Sequence, residues 1–202
     1  MSELPLRVAE HVYLVGVSIA LATAMGVPVG ILLSRRRSLR GPVLGGVNVL
    51  QTIPSLALLG FLIPVPFIGG LGARPTIVAL VAYALLPIIK NTVEGIRSID
   101  PAITEAGRAM GMTEMQLLRQ VELPLGVGVI MGGIRLATVI GIGVATIAAF
   151  IGAGGLGTLI FRGISMVDGS IILLGAVPAA LLALAADWGL GAVERRLSRW
   201  NA

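Results

Sequence analysis

Residues 105–124 read E-A-G-R-A-M-G-M-T-E-M-Q-L-L-R-Q-V-E-L-P, a polar interruption in a chain that is otherwise oily. Asp100 before Pro101 suits a helix start, with a carboxylate at the cap and proline in the first turn. That helix is expected to run to about Met110 and to stop at Gly111, a natural carboxyl-terminal residue. Thr113 and Gln116 have the spacing of a capping box and open a second short helix, over Glu114 to about Val121. Pro124 disfavours helix at Leu123 and is placed to open the next apolar segment. Ile103, Ala106 and Met110 recur at helical spacing, as do Met115, Leu118 and, less regularly, Val121. Arg108, Glu114 and Arg119 fall elsewhere. Such a pair of helices is either an amphipathic loop packed on its own bundle or on lipid headgroups, or an element that inserts into a groove of a partner protein.

The surrounding composition places this loop at a membrane. Of 202 residues, 56% are hydrophobic and only 12% charged, and mean hydropathy is +0.98. A water-soluble domain carries roughly twice that charged share. Five stretches are long and apolar enough to span a bilayer, approximately residues 12–34, 42–68, 75–93, 125–151 and 170–190. Residues 1–202 therefore read as a single all-α transmembrane domain, with a loop at about 94–124 between spans 3 and 4. The amino terminus lacks the basic start and cleavage site of a signal peptide, so the first apolar segment is expected to remain as a span. No soluble domain, long linker or internal repeat is apparent. The missing repeat weakens a reading as a complete secondary transporter.

Direction follows from the basic residues. With Arg35, Arg36, Arg37 and Arg40 in the cytoplasm, Lys90, Arg97, Arg108, Arg119, Arg195, Arg196 and Arg199 fall on the same side. Only Arg7, Arg74 and Arg162 lie outside, and Arg135 lies within a span. The expected topology has the amino terminus out, the carboxyl terminus in and the 94–124 loop in the cytoplasm. The same placement explains the net charge of +5 without invoking nucleic acid. With no cysteine and one histidine, His11, expected at the interface, the chain has no metal site.

The loop resembles that of a known family. E-A-G-x-x-x-G, nine residues, then V-E-L-P is similar to the E-A-A-x-x-x-G…L-P loop of ABC importer permeases. L-Q-T-I-P-S-L-A-L-L-G (50–60), Y-A-L-L-P-I-I-K-N-T (83–92), D-P-A (100–102), G-M-T (111–113) and G-I (163–164) extend the likeness. So does the run G-I-R-L-A-T-V-I-G-I-G-V-A-T-I-A-A-F-I-G-A-G-G-L-G (133–157). Together they resemble the glycine betaine/carnitine/choline branch, importers of compatible solutes. The resemblance implies a type I permease of the bacterial cytoplasmic membrane, whose loop is a coupling helix seated in a cleft of the ATPase subunit. Glu105, Ala106, Gly107, Gly111, Leu123 and Pro124 match the motif, with Gly107 in place of its second alanine. It also implies two ATPase subunits, an extracytoplasmic binding protein and a second permease copy, as homodimer or heterodimer.

The residues agree with that division of labour. No G-x-x-x-x-G-K-[ST] loop is present, and the one lysine, Lys90, follows P-I-I, so ATP and magnesium belong to a partner. Eight scattered aromatic residues, with Trp188 and Trp200 suited to an interfacial belt, do not promise a cage for a quaternary ammonium. High-affinity recognition is expected elsewhere, and the chain catalyses no bond chemistry.

Candidate passage residues lie in two spans. Asn48, Gln51 and Ser55 share a helical face by spacing, with Thr52 and Pro54 beside them. Such polar groups either glue the bundle by interhelical hydrogen bonds or line the passage, where Pro54 frees a carbonyl. Arg135 either snorkels to the cytoplasmic interface or pairs with a carboxylate such as Glu94 or Glu122. Thr138 and Thr146 share one side of the fourth span, unless their hydroxyls bond back to the backbone. Gly152, Gly154, Gly155 and Gly157 suit an outward turn or re-entrant bend beside the gate, with Phe161, Arg162 and Asp168 near a docking face for the binding protein. They do not form a dinucleotide loop, because no strand precedes them. An ion-coupled carrier is the rival from another class, and it would want mid-span carboxylates, whereas every carboxylate here reads as lying at or beyond a span end. A membrane-embedded enzyme lacks its motifs. Within the leading class, a permease for methionine or another amino acid is the alternative.

Overall fold

In the computed structural model, which describes residues 3–198, the described chain runs through nine α-helices. Arg199 and Trp200, assigned above to the basic cluster and the interfacial belt, lie outside the described residues. Helix α1 (Leu4–Arg35) begins eight residues before the expected span, because Pro5 pre-organises its first turn. Arg7 and Glu10 in that extension are neutralised by an ion pair at 3.0 Å. Next come α2 (Arg37–Thr52), α3 (Ser55–Leu62) and α4 (Ala73–Arg97), then two short helices, α5 (Pro101–Ala109) and α6 (Glu114–Leu117). A π-turn, Leu118–Glu122, leads into α7 (Leu123–Ile147), which tightens to a 3₁₀ turn at Ala148–Ile151. Helices α8 (Gly157–Met166) and α9 (Gly169–Ser198) complete the order.

Four stretches could each cross a bilayer unaided: Leu4–Arg35, Ala73–Arg97, Glu114–Ile151 and Gly169–Ser198. The fifth expected span, 42–68, is not one rod. It is the pair α2 and α3, bent by 96° at their junction. Pro54 is the cause: its ring keeps Ile53 out of the helical region, and Ile53 sits at φ −69°, ψ 127°.

The join between α6 and α7 also departs from expectation. Leu123 is helical at φ −64°, ψ −47°, and Pro124 does not separate two helices. Proline lacks an N–H and crowds the carbonyl four residues earlier. The π-turn widens the backbone just there, with the Leu123 N–H donating to the Leu118 carbonyl. The expected helix over 114–121 is therefore one α-turn that flows through the π-turn into the span.

Helix α4 is the centre of the bundle, packed against α1 on one side and α7 on the other. Leu14, Val15, Leu80, Ile142 and Ala145 interlock across these three helices. Lipid tails are as apolar as leucine, so this association rests on close packing rather than on escape from water. Small residues supply the closeness. A Cβ at Gly126 would lie 2.9 Å from the Gly95 carbonyl oxygen, so α7 and α4 touch backbone to backbone near one end.

The two ends of the bundle differ in charge. Gly95 beside Gly126, Ser198 beside Gly128, and Arg35 beside Glu122 bring the ends of α1, α4 and α9 to the start of α7. That end collects Arg35, Arg36, Arg37, Arg40, Arg97, Arg108, Arg119, Arg195 and Arg196. At the opposite end, the Gly72 N–H donates to the Ile151 carbonyl at 2.9 Å, and Glu10 reaches the Gly155 amide. His11 packs beside Gly155 at this end. It is fully buried, and its Nε2–H donates to the Ile142 carbonyl at 3.1 Å, tying α1 to α7.

Candidate functional site

At the arginine-rich end, each local signal of the loop appears as a bond. The Asp100 carboxylate accepts the Ala102 N–H at 2.9 Å and starts α5. The Met112 N–H reaches back to the Gly107 carbonyl at 3.1 Å over Gly111, whose φ is 84°. Thr113 and Gln116 form the reciprocal capping box, at 3.3 and 2.8 Å. The motif residues then divide by exposure. Glu105, Ala106 and Gly111 face outward with Ile103, Met110 and Met115, and Met110 is 77% exposed. Gly107 is buried under Leu117, where an added Cβ would lie 2.8 Å from that side chain. Leu123 and Pro124 border a cleft of about 330 Å³ with Arg119, Val127 and Leu197. The outward face thus mixes apolar side chains with single charges, which is the make-up of a docking surface. Open space surrounds the Gly111 α-carbon, so its backbone angle alone restricts substitution. Gly111→Val is expected to cost about 1–2 kcal/mol while Gly111→Asn costs less, measured as the thermal midpoint of the purified protein.

Arg35, which sequence reasoning read only as a topology signal, ties this surface to the bundle. Its guanidinium, at the end of α1, pairs with Glu114 on α6 and, at 2.7 Å, with Glu122 in the π-turn. Arg108 also reaches Glu114, at 3.1 Å. That bond is the chief reason the exposed Glu114 carboxyl titrates below the usual carboxylate range, with desolvation opposing. The Glu122 side chain is 7% exposed, so losing Arg35 strands a nearly buried carboxylate. Arg35→Gln is expected to destabilise the loop by about 1–3 kcal/mol, seen as faster amide exchange over 114–122 than in the wild type.

The candidate passage residues are brought together only in part. The bend at Pro54 puts Ser55 on α3, so it does not share a face with Asn48 and Gln51. The Gln51 amide donates to the Tyr83 carbonyl at 2.8 Å, and the Tyr83 hydroxyl donates to the Ile53 carbonyl that Pro54 releases. Thr52 bonds back to Val49 at 2.7 Å. Thr138 bonds back to Ile134 at 2.8 Å, and Thr146 to Gly143 at 2.7 Å. Beside Gln51 a cleft of about 380 Å³ runs along α4, past Lys90, Asn91 and Glu94. A second, of about 300 Å³, adjoins it at Lys90 and is bordered by Asn48.

Arg135 pairs with neither Glu94 nor Glu122. It makes a two-pronged bridge to Asp187, at 2.6 and 3.0 Å, and a third bond to Glu194 at 3.3 Å. Both carboxylates lie inside α9, which runs eight residues beyond the expected span, so the carboxylates are not all at or beyond span ends. They are seven residues apart and hence on one helical face, a signal that could have identified them as partners for a charge in another span. Arg135 bonds to both, but its single positive charge offsets only one of the two carboxylates, so the trio keeps an excess of negative charge.

The glycine turn at the opposite end is packed rather than open. Gly152, Gly154 and Gly155 have φ of 76°, 81° and 75°. Glu10 accepts the Gly155 N–H at 2.8 Å, and Gly157 sits directly against the Thr146 carbonyl. The Phe150 and Phe161 rings meet across the turn at 5.7 Å, tilted by 58° to each other, and Arg162 pairs with Glu3 at 3.0 Å. The Asp168 carboxylate caps α9 by accepting the Ser170 N–H at 2.8 Å.

An all-helical bundle with a broken second span and an exposed two-helix loop is the architecture of an importer's membrane-spanning subunit. Residues 26–199 match the family of binding-protein-dependent transport system inner membrane components, and the chain belongs to that family. It is a permease subunit of an ABC importer and not an enzyme; in this family ATP is hydrolysed by a separate subunit. It is 48% identical to the carnitine transport permease protein OpuCB of Listeria monocytogenes, over 94% of this chain and 85% of the relative. It is 52% identical to the glycine betaine/carnitine/choline transport system permease protein OpuCD of Bacillus subtilis, over 88% and 76%. It is also 48% identical to the osmoprotectant import permease protein OsmW of Salmonella typhimurium, over 89% and 84%. Among solved structures, the inward-facing MetNI methionine ABC transporter superposes with a TM-score of 0.89 at 25% identity, covering 98% of each chain.

Proposed function

We propose that this subunit imports quaternary ammonium osmoprotectants, of the glycine betaine, carnitine and choline kind, across the bacterial cytoplasmic membrane. What carries the reading is the agreement of relatives at 42–52% identity, each named for carnitine, choline, glycine betaine or osmoprotectant transport. The methionine transporter shares the fold, but at about half that identity. The arginine-rich end faces the cytoplasm, and the amino terminus faces outward, since nine described arginines gather at one end. There the loop that carries Glu105, Ala106, Gly107, Gly111, Leu123 and Pro124 docks on the ATPase, two copies of which bind ATP and magnesium. The glycine turn and Arg162 face the extracytoplasmic binding protein. A second permease subunit, identical or similar, completes the passage along Asn48, Gln51, Thr52, Pro54 and Ser55.

Uptake tests the reading. Vesicles holding this subunit, its ATPase and the binding protein should accumulate labelled glycine betaine, carnitine or choline when ATP is supplied on the ATPase side. Accumulation of methionine in place of all three would replace the cargo assignment. Accumulation driven by a sodium or proton gradient with ATP exhausted would replace the class.

A further inference from the structure

We propose that Lys90 and Glu94 form a charge-reading station for zwitterionic cargo at the cytoplasmic mouth of the passage. The inference rests on the osmoprotectant reading above and adds to it the feature by which this subunit sorts cargo. Lys90 is the one lysine in the sequence, and it lies on α4 seven residues before the helix ends at the arginine-rich side. It is exposed, as is Glu94 one turn further on, and neither makes an ion pair among the described residues. Arg35 and Arg135, two of the other cations carried by the long helices, are by contrast each held by two carboxylates. A cation left without a carboxylate at the edge of hydrocarbon needs water or a ligand.

The setting supplies room for one. Lys90 borders both clefts of the passage face, and Glu94 borders the larger, of about 380 Å³. The two positions are four residues apart, about 6 Å along the helix axis. A positive and a negative group at that spacing match a small molecule whose carboxylate and ammonium are a few bonds apart. Leu136 and Ile140, across from them on α7, give an apolar flank suited to the methyl groups of a quaternary nitrogen. The Gln51 and Asn91 amides in the same cleft donate to the backbone carbonyls of Tyr83 and Pro87, each at 2.8 Å, so they are anchored parts of the wall. No aromatic ring is among the described residues that line the cleft, so it lacks the cage that would trap a cation tightly. That suits a passage, where cargo must leave. A charge pair here favours a zwitterion over a bare cation, because Lys90 attracts a carboxylate that choline does not have.

The test is uptake into vesicles by the complete transporter, with the binding protein saturated first with glycine betaine and then with choline. Lys90→Met is expected to lower the ratio of glycine betaine to choline uptake about tenfold, the worth of one partly screened charge contact. Glu94→Gln is expected to lower uptake of both cargoes, since both carry the ammonium, and Lys90→Arg to keep the wild-type ratio. A Lys90→Met variant whose two uptake rates fall in equal proportion, or stay unchanged, overturns the proposal. A wild-type transporter that moves neither cargo instead defeats the osmoprotectant reading, and the two failures are thereby distinct.

Discussion

ATP-driven uptake by a Glu105→Arg variant is expected to fall at least tenfold while the spans remain folded. Glu105 is exposed on α5, and no ion pair or hydrogen bond of its side chain appears among the described residues. Among the described residues its charge is felt as a minor attraction on the exposed Arg108. A partner that receives this surface does depend on it: reversing a charge at a docked interface replaces attraction by repulsion, a change of several kcal/mol in a desolvated contact. The expected signature is a split result, with an unchanged thermal midpoint for the isolated subunit and lost uptake in the assembled transporter. Equal loss of both would make Glu105 part of the fold, and normal uptake with the ATPase attached would remove it from the coupling surface.

Gly157→Val should do the reverse and damage the subunit itself. Gly157 opens α8 with its α-carbon pressed against the backbone carbonyl of Thr146 near the end of α7, and the Ala149 side chain is 2.9 Å from where a Cβ would stand. Backbone cannot move aside as the tip of a side chain can, so any Cβ separates α7 from α8. Overpacking of this kind costs about 1–3 kcal/mol even in forgiving cores, and valine adds two further methyl groups. The measurement is the yield and thermal midpoint of the purified subunit, both expected to drop well below wild type. Gly143→Val on α7, where open space surrounds the α-carbon, should leave both close to normal. Similar behaviour of the two variants would mean that the turn is looser than its contacts indicate.

The features readable from sequence were those whose causes are local. Asp100 and Pro101, Gly111, and the Thr113–Gln116 pair announce helix ends within four residues of themselves, and each makes the bond its chemistry requires. Membrane residence needed only composition. What eluded the sequence depends on residues far apart in the chain. Arg135 finds Asp187 52 residues away, and Arg35 finds Glu122 87 residues away. Arg35 was hidden because a basic residue near a span end serves equally well as a topology signal; for Arg135 a carboxylate partner was expected, but Glu94 or Glu122 was named in place of Asp187 and Glu194. The bend at Pro54 was half visible: a proline in an apolar run announces a disturbance, but not that the chain turns by 96°. Asn48, Gln51 and Ser55 were then placed on one face by a periodicity that the bend cancels. At Pro124 the opposite happened, since a π-turn absorbed a proline that was expected to disfavour helix at Leu123.

Site-directed cross-linking at Met110 tests the coupling claim most directly, and the absence of native cysteine makes it clean. Met110→Cys stands at the outward tip of α5, where the native side chain is 77% exposed. In the assembled transporter, a short thiol-to-amine cross-linker is predicted to join this cysteine to the ATPase subunit. An assembled, ATP-hydrolysing complex in which the cysteine joins only the binding protein, or joins no other subunit, would contradict the account.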